Sequence, residues 1–420
     1  MSSSVPHKNL LFMVLLGSLL ETYDFSLYGY FAPILAQSFF PSPDPTSSLL
    51  ASFTVFAVGF LTRPVGAAIF GYCGDKYGRK KILIISIMLM AIPTALIGML
   101  PTYEQIGIWA GLLLALCRLL QGLAVGAEFV GTMVYMIEQA PTNQKTFFGS
   151  LCICSGYIAM LFTAIIVTLL SHFLSSESLQ QWGWRIPFLF GLLLGILGLY
   201  IRSKLSETPA FKVLLENKST VTNPLLQTIT QMPFTLLLGI GVIMIHVLGF
   251  YLLFVYMTSY LNSYYKIPAE TTSFINIITL TLAAALIPFI GMMAEKINKK
   301  IFILMSNIFI IILAYPLIRM LDNGTILTIL IVQTTLTLFI CITSAVLPIF
   351  LSELFPVSLR YTGMALCYNI AAVSFGGTAP LILTFLVEKT QNISSPAFYL
   401  MLAACVTLGS TILIKRNISA

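Results

Sequence analysis

The sequence predicts an all-α integral membrane protein of twelve transmembrane helices, arranged as two pseudo-symmetric six-helix bundles with both termini cytoplasmic. Three observations lead there. Of 420 residues, 58% are hydrophobic and 9% charged, whereas soluble domains carry about 25% charged residues, so most of the chain lies in lipid. Apolar runs long enough to span, about 20 residues, recur twelve times. A polar connector then divides those runs six and six.

In chain order the runs cover 10–37, 48–71, 82–101, 106–137, 146–173, 185–203, 232–261, 269–293, 301–320, 325–352, 361–388 and 395–414. The first is too long for a cleavable signal peptide and contains Glu21 and Asp24. With the N-terminus inside, the inner segments hold Lys8, Lys76, Arg79, Lys80, Lys81, Lys145, Arg202, Lys204, Lys212, Lys218, Lys296, Lys299, Lys300, Arg360, Lys415 and Arg416. The outer ends hold Arg185, Lys266, Arg319 and Lys389. Sixteen basic residues against four place both termini inside. Residues 204–231 then form a cytoplasmic linker between a bundle at 1–203 and a second at 232–420. Pro64, Pro93, Pro288, Pro348 and Pro380 fall inside runs and read as kinks.

The net charge of +7 is spread over the connectors rather than gathered into a domain, which suits a bilayer and not nucleic acid. The seven cysteines are scattered through apolar runs as small fillers. The sequence has no phosphate-binding loop, metal cluster or nucleophile constellation. Neither an enzyme nor a bound cofactor or metal is expected, and a monomer is. Energy must come from an ion gradient or from the substrate's own.

Five charges lie within the first four runs. Glu21 and Asp24, three residues apart, share a helical face. A charge at bilayer depth costs about 2.5–3.5 kcal/mol even on lenient scales, so the pair should face a protein-lined pathway. Arg118 and Glu128 are ten residues apart, about 15 Å along a helix, and cannot pair. Arg63 and Glu128 both lie ~13 Å from the inner ends of their runs, Glu21 and Asp24 ~18–22 Å, and Arg118 further out. An Arg63–Glu128 pair is therefore expected, with Arg118 serving Asp24 or a substrate. These five sum to two positive and three negative charges, which one proton would balance. Asp24 and Glu21 are the leading proton-coupling candidates, then Glu128.

Arg118 and Arg63 suit a carboxylate, which arginine binds bidentately. Tyr23, Tyr28 and Tyr30 with Tyr251, Tyr256 and Tyr260 could wall a quaternary ammonium. His246 is a candidate substrate donor or proton relay, and Asn276, Gln333 and Asn369 are candidate hydrogen-bonding groups. Gly122 and Gly126 form a small-residue face for helix packing.

After the second run comes Gly71-Tyr-Cys-Gly-Asp75-Lys-Tyr-Gly78-Arg79-Lys-Lys81, and at the matching place after the eighth comes Gly291-Met-Met-Ala-Glu295-Lys-Ile-Asn-Lys-Lys300. Gly71 and Gly78 permit a tight turn, Asp75 suits a neighbouring helix N-terminus, and Arg79 can pair with nearby acids, together latching one face shut. The second copy keeps an acid but lacks the Gly and Arg positions, which argues against a latch there. Repeated halves suggest two bundles rocking around a midplane site.

The first of these segments resembles the signature of the major facilitator superfamily. Others narrow the match: Glu21-Thr-Tyr-Asp24-Phe-Ser-Leu-Tyr28-Gly-Tyr30-Phe, Trp184-Arg185-Ile-Pro-Phe-Leu-Phe-Gly191, Glu207-Thr-Pro-Ala-Phe211, Glu353-Leu-Phe-Pro356-Val-Ser-Leu-Arg360-Tyr-Thr-Gly363 and Tyr368-Asn369-Ile-Ala-Ala-Val-Ser-Phe-Gly376-Gly377-Thr-Ala-Pro380. Together they resemble the metabolite:H+ symporter family of proline/glycine betaine, α-ketoglutarate, citrate and shikimate permeases. Thr22 and Ala127 depart from the family's usual aromatic and glycine, and no long coiled-coil tail follows, so osmotic gating of that type is not expected. The resemblance implies a carrier of the bacterial inner membrane, importing a small carboxylate-bearing metabolite with a proton by alternating access. The metabolite would be a zwitterionic osmolyte such as proline or betaine, or an organic acid such as α-ketoglutarate or citrate. The alternatives are an exporter or facilitator of the same fold, and a carrier-like sensor that does not transport.

Overall fold

The computed structural model describes residues 7–217, 219 and 221–414, and every regular element among them is helical. Lys218, Lys415 and Arg416, counted above among the inner residues, lie outside the described residues. Helix α1, His7–Phe39, runs for 33 residues. Among the described residues eleven further helices are long and apolar enough to cross a bilayer: α2 Ser47–Tyr77, α3 Arg79–Met99, α4 Ile108–Gln139, α5 Lys145–Phe173, α6 Arg185–Ser203, α7 Pro233–Tyr265, α8 Glu270–Met293, α9 Lys299–Met320, α10 Ile326–Ser352, α11 Arg360–Thr390 and α12 Ser395–Leu413. With α1 they make twelve.

Two expectations change in detail. Helix α2 continues past 71 to Tyr77, so Asp75 occupies its last turn rather than a loop. The reversal is confined to Gly78, whose φ of 107° and ψ of 152° suit only glycine. Helices α7 and α11 are not uniform but widen into π turns at Leu252–Tyr256 and Ala372–Gly377. Such bulges cluster at functional sites, and both segments here reach the central cavity.

Within the halves α3 packs on α6 and α9 on α12. Helix α4 lies against α2 through the expected glycine face. A Cβ on Gly122 would come within 2.0 Å of the Gly59 carbonyl oxygen, and one on Gly126 within 2.3 Å of that of Arg63. Across the halves the pairing repeats: α5 packs on α8, and α2 on α11.

Each of those seams is clamped at the same end by an acid capping a helix N-terminus. Asp75 accepts hydrogen bonds from the Tyr361 and Thr362 amides at 3.2 and 2.9 Å and from the Thr362 hydroxyl at 2.8 Å, at the start of α11. Glu295 accepts from the Phe147 amide at 2.9 Å and the Thr146 hydroxyl at 3.1 Å, at the start of α5. This corrects the expectation that the second copy forms no latch. The donors are orphan backbone amides at a positive helix end, so a carboxylate suffices without the Gly and Arg positions.

The first latch has additional parts. Arg79, fully buried, pairs with Asp75 at 3.2 Å and Glu138 at 3.3 Å and donates to the Val357 carbonyl at 2.7 Å. Glu138 also holds Arg360 at 3.2 Å and accepts from Thr208 at 2.7 Å. In the connector Glu207 accepts from the Arg79 and Lys80 amides, capping α3, and the Phe211 ring lies 4.9 Å from the Arg79 guanidinium.

Candidate functional site: a central cavity between the halves

A cavity of about 600 Å³ lies between the halves, walled by α1, α2, α4 and α5 on one side and α7, α8 and α11 on the other. Its floor is formed near Phe129, Ile153 and Tyr368, and it extends past Tyr30, Phe53, Thr168 and Pro380, away from the latches.

Helices α1 and α2 bring one acid and one base to this wall. Glu21 lines the cavity, and its Oε2 has no hydrogen-bond partner. Arg63, the residue after the break in α2 at Thr62, also lines it. The Arg63 guanidinium lies 4.3 Å from the ring centroids of both Phe25 and Phe60, a planar cation between aromatic faces. The Glu21 carboxylate and Tyr251 are its electrostatic neighbours. Among the described residues Arg63 is the one arginine or lysine lining the cavity. Rings continue the wall: Phe25, Phe56 and Phe60 meet edge to face at 5.2–5.6 Å, and Phe60 meets Tyr251 at 6.1 Å. Opposite them Tyr157, Phe250 and Phe254 cluster at 5.2–5.7 Å.

Asp24 and Arg118 lie behind this wall. Asp24 Oδ2 is 2.7 Å from Arg118 Nη1, while Oδ1 is 2.7 Å from the Gln121 amide nitrogen and 2.9 Å from the Thr94 hydroxyl. Both charged residues are fully buried. Arg118 stacks 4.6 Å from Phe25 and 4.5 Å from Tyr28. It therefore does not line the cavity, contrary to its expected place beside the substrate. Tyr23 and Tyr28 are turned inward too, donating to the Pro187 and Ser52 carbonyls. Expected to share a face, residues 21 and 24 still differ by about 60° around the helix, enough to put one acid on the wall and the other in the bundle.

The expected Arg63–Glu128 pair is absent. Glu128 is gripped by both terminal nitrogens of Arg202, with Ser86 and Thr132 completing its shell. Arg202 is 1% exposed and belongs to the interior, although it was counted with the cytoplasmic end of α6. Its position inside the apolar run 185–203 was the available signal. With Arg202 added, the five charges read from the first four runs become three positive and three negative, Arg63, Arg118 and Arg202 against Glu21, Asp24 and Glu128, balanced without a proton.

From the second half, His246 and Tyr251 on α7, Asn276 on α8 and Tyr368 on α11 line the cavity. Asn369 instead donates to the Gly126 carbonyl across the seam at 3.1 Å. Tyr260 donates to the Ile393 carbonyl at 2.7 Å, outside the cavity. Gly71 packs against Thr362 of α11, where a Cβ would come within 2.9 Å of its Cα.

Residues 10–222 match the family model described as sugar (and other) transporter. The chain is 34% identical over 414 residues to the proline/betaine transporter of Escherichia coli (strain K12), covering 96% of this chain and 82% of that protein. It is 34% identical over 416 residues to the glycine betaine/proline/ectoine/pipecolic acid transporter OusA of Dickeya dadantii (strain 3937), with the same two coverages, 96% and 82%. The fold also resembles the major facilitator superfamily proton:xylose symporter XylE bound to 6-bromo-6-deoxy-D-glucose. That superposition has a TM-score of 0.78 at 15% identity and covers 98% of this chain and 95% of that one.

Proposed function

Since the chain belongs to the sugar (and other) transporter family of the major facilitator superfamily, as a multi-pass protein of the bacterial inner membrane, we propose that it imports a small zwitterion of the proline or betaine kind together with a proton. The observation that carries this reading is the Glu21–Arg63 neighbourhood on an aromatic cavity wall. A substrate carboxylate can take Arg63 as its partner, and the rings beside it suit a substituted ammonium.

Charge balance then supplies the coupling. In the empty carrier Glu21 is the counterion of Arg63. A bound substrate carboxylate would place two anions against one arginine unless Glu21 takes a proton. A proton without substrate would leave Arg63 uncompensated in a low-dielectric wall, which is costly. Counting the groups at the Arg63 guanidinium, with the substrate ammonium set against the aromatic rings, the two balanced states are empty and deprotonated, or loaded and protonated.

One cavity arginine serves one carboxylate, which favours a zwitterion over di- and tricarboxylic acids, and the substrates named for the relatives agree with that choice. On the Lys/Arg count the latches face the cytoplasm. Residues 1–203 and 232–420 rock as two bundles joined by 204–231, and the cavity receives substrate from outside.

The test is substrate-driven proton movement in proteoliposomes of the purified protein. Proline or glycine betaine should alkalinise a weakly buffered outer medium in step with its uptake. Uptake without alkalinisation overturns the coupling, and alkalinisation by α-ketoglutarate or citrate instead overturns the zwitterion.

A further inference from the structure

The cavity holds a second titratable group, both of whose ring nitrogens have hydrogen-bond partners. His246, 4% exposed, has Nδ1 2.7 Å from Ser344 Oγ and Nε2 3.2 Å from the Tyr368 hydroxyl. The Ser344 hydroxyl gives its single hydrogen to the Ile340 carbonyl at 2.7 Å. With its hydrogen there Ser344 accepts from His246, the arrangement in which a neutral imidazole carries its proton on Nδ1 and turns the Nε2 lone pair toward Tyr368. Tyr368 in turn lines the same cavity as Glu21 and is its electrostatic neighbour. The remaining titratable and charged groups on this floor are Tyr157 on α5, Tyr251 on α7 and Arg63 on α2.

We propose that Glu21, Tyr368 and His246 form a proton relay across the seam between the halves, with His246 as the second station of the coupled proton. The transfer balances without another reactant. Protonated Glu21 gives its proton to the Tyr368 oxygen across cavity water, and the Tyr368 hydroxyl proton passes to His246 Nε2. Glu21 is again a carboxylate, Tyr368 is again neutral, and His246 is an imidazolium held by Ser344. The proton has then crossed from α1 to α7, from one half of the carrier to the other. His246 is thereby a proton carrier rather than a substrate ligand.

The inference rests on Glu21 as the acid that takes the proton, and the experiment separates the two. Proteoliposomes carrying His246→Gln, Tyr368→Phe or Glu21→Gln are compared for proline counterflow and for proline accumulation driven by a pH gradient. Both relay variants should keep counterflow within about twofold and lose accumulation at least tenfold. Accumulation retained in either, while Glu21→Gln loses it, overturns the relay and leaves the coupling reading intact. If Glu21→Gln also accumulates, the coupling reading itself fails. Loss of counterflow in a relay variant makes that residue a substrate ligand and overturns the relay. A second measurement needs no variant at the site: in a His7→Gln/His172→Gln background, ¹⁵N NMR of the remaining imidazole should report a proton on Nδ1 when neutral. A proton on Nε2 overturns the proposal.

Discussion

Glu128 is held by Arg202, whose two terminal guanidinium nitrogens reach its two carboxylate oxygens across α4 and α6. That pair ties α4 to α6 and, through the Leu83 carbonyl, to α3, and Gly17 of α1 packs directly on it. A Cβ on Gly17 would fall 2.5 Å from Glu128 Oε1. Arg63 is released by this arrangement to face the cavity.

Arg202→Met should destabilise the carrier by about 3–5 kcal/mol, because a buried carboxylate loses its partner. The double variant Arg202→Met/Glu128→Leu should recover most of that loss, since no uncompensated charge remains. Thermal unfolding in detergent checks both, and a double variant no better than the single one refutes the pairing argument.

The two latches should act alike. Replacing Glu295 by Ala removes hydrogen bonds to a charged group, each about 1.5–3 kcal/mol, and uncaps α5. Spin labels at Tyr77 and Ile297, both exposed at the latch end, should shift to longer separations in Glu295→Ala, as in Asp75→Ala. An unchanged distance distribution in Glu295→Ala would make the second cap merely local.

Gly78 is where the first latch turns. Gly78→Ala meets a backbone conformation costing about 1–3 kcal/mol for other residues and a Cβ position 2.3 Å from Glu207 Oε2. Gly324 also has positive φ, at 63°, but open space around it. Gly324→Ala should cost only about 1–2 kcal/mol, so Gly78→Ala should melt at the lower temperature of the two.

Legibility followed the kind of information each feature needs. Spans depend on run length, which the sequence carries directly, and depth along a helix left Asp24 as one of two partners open to Arg118. Glu128's partner depends on how α6 is rotated and how far an arginine side chain reaches back from a helix end, and apolar patterning with few charges says little about rotation. The same blindness placed Arg118 beside the substrate when its face points into the bundle. The missing Gly and Arg positions argue against a latch at Glu295, whose partners are the Phe147 amide and the Thr146 hydroxyl at a helix start that no residue pattern displays. The π turns of α7 and α11 likewise leave no trace in hydrophobic run length. Tyr368 stood within a recognised segment, yet its role emerges only once α11 brings it beside His246.

The most direct test of the account is Glu21→Gln in proteoliposomes, read as proline counterflow and as accumulation under an imposed pH gradient. A neutral, isosteric side chain mimics the protonated acid, so exchange of internal for external substrate should persist while uphill accumulation disappears. Accumulation equal to that of the unaltered protein would contradict the claim that Glu21 is the counterion Arg63 gives up when substrate and proton bind together.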